Sequence, residues 1–98
     1  MLKPLHTVQV EIPVIFYKEG DFIVAYTPTL DLAAQGMDEK EAEKNFSEVI
    51  NIFFDETTKR GTLEEALLGL GWAKKQATFE PPKIVGTHNK KIEVPVFA

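Results

Sequence analysis

Phe22-Ile-Val-Ala-Tyr-Thr-Pro-Thr-Leu-Asp-Leu-Ala-Ala-Gln-Gly36, running straight into Met37-Asp-Glu-Lys-Glu-Ala42, decides the fold of this chain. Phe22 to Tyr26 is an apolar run of strand length. Pro28 cannot donate to a ladder and so ends it. Leu30 to Gln35 is short enough for a third strand, weakened by Ala33 and Ala34, which are poor strand formers. Asp38 then stands at the head of a helix with Glu41 three residues on, the spacing of a capping box, while Met37 and Ala42 occupy the staple positions. The order is strand, turn, short strand, helix.

Working back toward the N-terminus, Thr7 to Tyr17 alternates, with Val8, Val10, Ile12, Val14 and Phe16 on one face and Thr7, Gln9 and Glu11 on the other. That period predicts a half-buried strand, with Pro13 at an edge or bulge. Lys18 to Asp21 supplies a turn through Gly20, so this strand and Phe22–Tyr26 form a hairpin. Working forward, Ala42, Phe46, Val49, Ile50, Phe53 and Phe54 form one apolar stripe that should pack on the sheet. Lys59, Arg60 and Gly61 mark the helix end. Thr62 with Glu65 repeats the capping spacing, opening a short helix through Ala66, Leu67 and Leu70 that closes at Gly69 and Gly71. Beyond Trp72, Ala73 to Phe79 reads as a strand, Pro81 and Pro82 stop it, and Gly86 to Lys91 is a polar loop. Ile92 to Phe97 alternates again and, with Pro95, reads as a closing edge strand. The expected architecture is α+β: a small, mainly antiparallel sheet of the β-β-β-α-β type with one long helix on one face. A chain of 98 residues makes one domain, spanning 1–98, with its core over about 5–72 and a tail of extra strands over 73–98.

Composition excludes several functions. There is no cysteine, hence no disulfide and no thiolate chemistry. No apolar run has the length of a membrane span, and Met1-Leu-Lys-Pro lacks a secretory apolar segment, so a cytoplasmic home is expected. The net charge of −4 is uneven: residues 1–73 carry 6 basic and 13 acidic side chains, and residues 74–98 carry 5 and 2. An acidic body argues against direct nucleic-acid binding and suits a basic protein partner. His6 and His88 lack ligand-pair spacing, so no metal or cofactor is expected. Asp21 and Asp31 sit beside turn residues that favour local hydrogen bonds, and Ser47 lies within the helix with no nearby histidine. Gly69-Leu-Gly71 follows a helix where a phosphate loop would open one. No catalytic constellation appears, and the chain is not expected to be an enzyme.

The residues Tyr26, Pro28, Leu30, Asp31, Gln35, Gly36 and Ala42 resemble the pattern of the HicB-like antitoxin family over roughly residues 10 to 60. That pattern is a hairpin with a Tyr-x-Pro segment, an aspartate-containing loop, a Gln-Gly pair and an acidic helix start. Leu30-Asp31-Leu32 stands where the family often has Pro-Gly-Cys. The resemblance implies a reduced ribonuclease H-like fold without the full acidic metal set of that class. It also implies a partner: HicA, a small basic toxin that cleaves RNA and whose working surface the antitoxin covers. Many family members add a helix-turn-helix or ribbon-helix-helix module; here the residues after Leu70 contain three prolines and no amphipathic helix pair, so no DNA-binding module is expected. The expected partner-binding residues are Tyr26, Asp31 and Gln35, by their place in the matching motif, and Glu39, Glu43 and Glu48 on the helix, by their charge. The alternative is a stand-alone protein-interaction or structural module of the same fold with no toxin partner. A homodimer or higher homo-oligomer, formed through sheet surface or edge, is expected for so small a core.

Overall fold

The computed structural model describes residues 7–97; His6 lies outside them. Its order is β1 (Ile15–Glu19), β2 (Phe22–Thr27), β3 (Leu32–Gly36), α1 (Glu39–Arg60), α2 (Leu63–Gly69), β4 (Ala73–Lys75) and β5 (Thr78–Glu80). β1, β2 and β3 form an antiparallel sheet in that spatial order, and β4 with β5 forms a separate hairpin. The fold is α+β, as expected.

The β1–β2 hairpin closes through Gly20 and Asp21, with Glu19 facing Phe22 in the register. Gly20 has φ +60, the positive value required at the first position of a type II′ loop. In β2, Ile23 and Ala25 point to one face with Phe16, Ala34 and Leu32 of the neighbouring strands. These pack around Ala42 and Phe46 of α1 to make the first core cluster. α1 runs for 22 residues between two local signals. At its head the Asp38 carboxylate accepts from the Glu41 amide at 2.8 Å, and Glu41 Oε1 accepts from the Met37 amide at 2.9 Å, one residue earlier than a capping box requires. Met37 itself stays exposed, so it makes no staple with the buried Ala42. At its end Gly61 takes φ +69, and the Thr62 and Gly61 amides donate to the carbonyls of Thr57 and Thr58, the two bonds of a Schellman cap.

α2 ends the same way. Gly71 has φ +90, and the amides of Trp72 and Gly71 donate to Leu67 and Leu68. This cap turns Trp72 inward, where it joins Leu30 and Leu67 in the second buried cluster. Thr62 makes no side-chain cap, contrary to the reading of Thr62 with Glu65. Its backbone sits at φ −111, ψ 9, because its amide is already committed to closing α1.

Three strand expectations are corrected. Residues 7–14 belong to no strand, and only Ile15–Glu19 pairs. The reason is the partner: β2 stops at Thr27 before Pro28, so no strand opposes the arm beyond Val14. The alternation still marks the inward side, since Ile12, Val14 and Phe16 are half-buried and Glu11, Pro13 and Ile15 exposed. Ala73–Phe79 is not one strand. It folds back at Gln76, which takes φ +53, into the β4–β5 hairpin. Ile92–Phe97 forms no strand and is exposed throughout, because no neighbouring ladder reaches it.

Candidate protein-interaction face

α1 covers one face of the three-stranded sheet and leaves the other open. The register places Ile15 opposite Tyr26, Tyr17 opposite Val24 and Glu19 opposite Phe22. On the far side of β2, Val24 faces Gln35 and Tyr26 faces Ala33. Since side chains alternate along a strand, all of these lie on the face away from α1. Val24 is buried at the centre of the group, whereas Ile15, Tyr17 and Phe22 are 49%, 46% and 40% exposed. Glu19, Asp31 and Gln35, all exposed, make the polar rim. An apolar centre with aromatic groups and a polar edge is the anatomy of a protein-binding patch.

The β2–β3 turn fixes one corner of this face. Thr27 and Thr29 are buried, their hydroxyls 2.9 Å apart, and the Trp72 indole donates to the Thr29 carbonyl at 2.8 Å. Leu30 inserts beside Leu67 and Trp72. Asp31 follows with φ +52, a left-handed conformation that Asp tolerates better than most residues. This geometry returns the Asp31 carboxylate to Tyr26, whose hydroxyl donates to Oδ1 at 3.0 Å. The hydrogen bond raises the Tyr26 phenol above its ordinary pKa of 10.0, with desolvation and the nearby Asp31 charge acting in the same direction. The folded state therefore favours the protonated phenol. The contribution of the pair to stability is complete below the unfolded value and is lost as pH rises through the higher folded-state value. In a spectrophotometric titration Asp31→Gly, which keeps the left-handed backbone accessible, should shift Tyr26 ionisation to lower pH. An unchanged titration would contradict the pairing.

The residues singled out from sequence divide into two places. Tyr26, Asp31 and Gln35 gather on the open face. The Gln35 carbonyl also accepts from the Asn45 side-chain amide at 2.9 Å, tying α1 to β3. Glu39, Glu43 and Glu48 are exposed on α1, in the layer behind the sheet. Glu39 and Glu43 share one side of the helix, one turn apart. Glu48, nine residues beyond Glu39, lies about 180° around the helix and does not join them. Gly36 sets the join between sheet and helix. A Cβ there would come within 2.7 Å of the Glu41 carbonyl carbon and closer still to the Ala42 amide, so the glycine of the Gln-Gly pair is a steric requirement of the fold. Ile15, Tyr17 and Phe22 were not picked out from sequence as contact residues. Their signal was a hairpin apolar on both faces beside one long helix able to cover only one of them.

Among the described residues no group of three His, Asp or Glu side chains converges in a metal-holding arrangement, and no helix is long and apolar enough to cross a membrane. Ser47 is exposed on α1, and Asp21 is exposed in the hairpin turn. No family model, no curated protein and no solved structure matches this chain.

Proposed function

We propose that this chain is a HicB-like antitoxin-type protein that binds a small basic RNA-cleaving protein and blocks its action. The observation that carries the reading is the open sheet face, where Tyr26 is held against Asp31 at the corner formed by the motif turn and Tyr17, Phe22 and Ile15 stay exposed beside it. Large aromatic groups around a desolvated centre supply most of the affinity in such contacts, and a carboxylate rim suits a basic partner. The overall charge of −4 acts in the same sense at longer range. No nucleic acid and no cofactor enters this reading.

The two groups of residues make separable contributions. Tyr26→Ala removes the aromatic contact at the corner of the face and should raise the dissociation rate, weakening binding by about 2 kcal/mol or more, roughly thirtyfold. Charge reversal at Glu39 and Glu43, behind the sheet, should slow association at low salt and leave dissociation nearly unchanged, because screening removes the long-range attraction. Binding kinetics with the product of an adjacent reading frame encoding a small basic protein, measured at two salt concentrations, check both outcomes. A Tyr26→Ala complex that dissociates at the wild-type rate would place the contact elsewhere.

A further inference from the structure

The chain carries two segments without a ladder partner, the arm, residues 7–14, and the tail, residues 83–97, whose last part, residues 92–97, alternates like a strand as the arm does. We infer that they pair between copies, the tail of one molecule adding as a strand along the arm and the β1 edge of a second, in a reciprocal two-fold dimer. The tail is exposed to a degree unusual for its composition, with Ile92, Val94, Val96 and Phe97 at 73%, 69%, 89% and 96%. Its apolar residues Ile92, Val94 and Val96 alternate with period two, the pattern of a strand lying on an apolar surface. That surface is available on the arm, where Val8 and Val10 are 56% and 44% exposed and border a cleft walled by Phe54, Trp72 and Phe79. The base of the tail, Glu80 to Ile84, leaves the body across a cleft from Glu11 to Pro13, so the two segments begin side by side without pairing within one molecule.

Charge selects a second copy as the occupant. Residues 83–97 hold three lysines and one glutamate, net +2, whereas residues 7–80 hold 7 basic and 14 acidic side chains, net −7. An apolar strand led in by a basic loop, Lys83, Lys90 and Lys91, is thus offered to an acidic body of the same sequence. Size agrees. The accessible surface is 8353 Å² for an 11.0 kDa chain, against about 5,600 Å² for a compact monomer of that mass. The excess is more than twice the ~800 Å² that each partner buries in a standard interface. The radius of gyration, 16.5 Å, likewise exceeds the ~13 Å of a compact chain of this length. Pro13 and Pro95 lack donors, which a two-stranded pairing at a sheet edge accommodates. The contact uses the arm and an edge, leaving the open face with Tyr26 free, so it stands independently of the antitoxin reading.

The test uses the full chain beside the variant Val94→Lys with Val96→Lys. Both side chains are exposed in the single molecule, so their replacement leaves the fold of each copy intact, which far-ultraviolet circular dichroism verifies. Sedimentation equilibrium of the native chain should give twice the 11.0 kDa monomer mass, and the variant should fall to the monomer mass. Hydrogen exchange should show slow amides at residues 8–12 in the native chain that speed up at least tenfold in the variant. A native monomer at high micromolar concentration overturns the inference. So does a dimer that survives both substitutions, or one in which the arm amides exchange freely.

Discussion

Trp72→Ala is expected to lower stability by about 3 to 5 kcal/mol, the range for removing a buried large aromatic side chain. The total stability of a domain this size is itself only about 5 to 15 kcal/mol, so the variant should be unfolded in an appreciable fraction of molecules or melt many degrees lower. Three connections are lost together: the packing against Leu30 and Leu67, the indole bond to the Thr29 carbonyl, and the anchor that holds the β2–β3 turn to α2. Trp72→Phe separates them. It keeps most of the apolar contact but leaves a buried carbonyl unpaired, a cost of about 1 to 3 kcal/mol. Because Trp72 is the only tryptophan, urea unfolding of all three proteins should be followed by far-ultraviolet circular dichroism. A Trp72→Ala midpoint equal to that of the native chain would contradict this account of the second cluster.

Phe46→Ala is the second large effect, again about 3 to 5 kcal/mol. Phe46 is 5% exposed and sits with Ala25 and Ala42, both fully buried, at the centre of the contact between α1 and the sheet. Its removal leaves a cavity between the helix and the sheet, lined also by Phe16, Ile23, Leu32 and Ile50. Phe53, one residue of the same stripe, is half-buried and stacks edge to face on Phe54 at 5.1 Å. Phe53→Ala should therefore cost less than Phe46→Ala. Thermal melts that rank the two the other way would place the core elsewhere along the helix.

The elements legible in the sequence are those whose signals are local. Asp38, Glu41 and Gly61 bound α1 within the residues that form its caps, and the stripe from Ala42 to Phe54 follows from helical period alone. What could not be read depends on partners distant in the chain. Alternation over residues 7–17 and 92–97 states which side of a segment is apolar, yet a strand also needs a neighbouring backbone, and β2 ends too soon to provide one. Thr62 has a capping side chain and capping spacing, but its amide is spent on the preceding helix. The hairpin at Gln76 hides because glutamine gives no hint of a left-handed turn. On the open sheet face, the motif residues Tyr26 and Asp31 meet across a turn of five residues, whereas the Trp72 indole that holds that turn in place comes from 43 residues away. Charge alone groups Glu48 with Glu39 and Glu43, and helical phase separates it.

The measurement that bears most directly on the proposed function is RNA cleavage by a small basic protein from an adjacent reading frame, titrated with the purified chain and, in parallel, with Tyr26→Ala. The account predicts that cleavage falls to zero as the native chain reaches stoichiometric equivalence, and that the variant needs roughly thirtyfold more protein for the same effect. Cleavage that continues undiminished with the native chain in excess would contradict it.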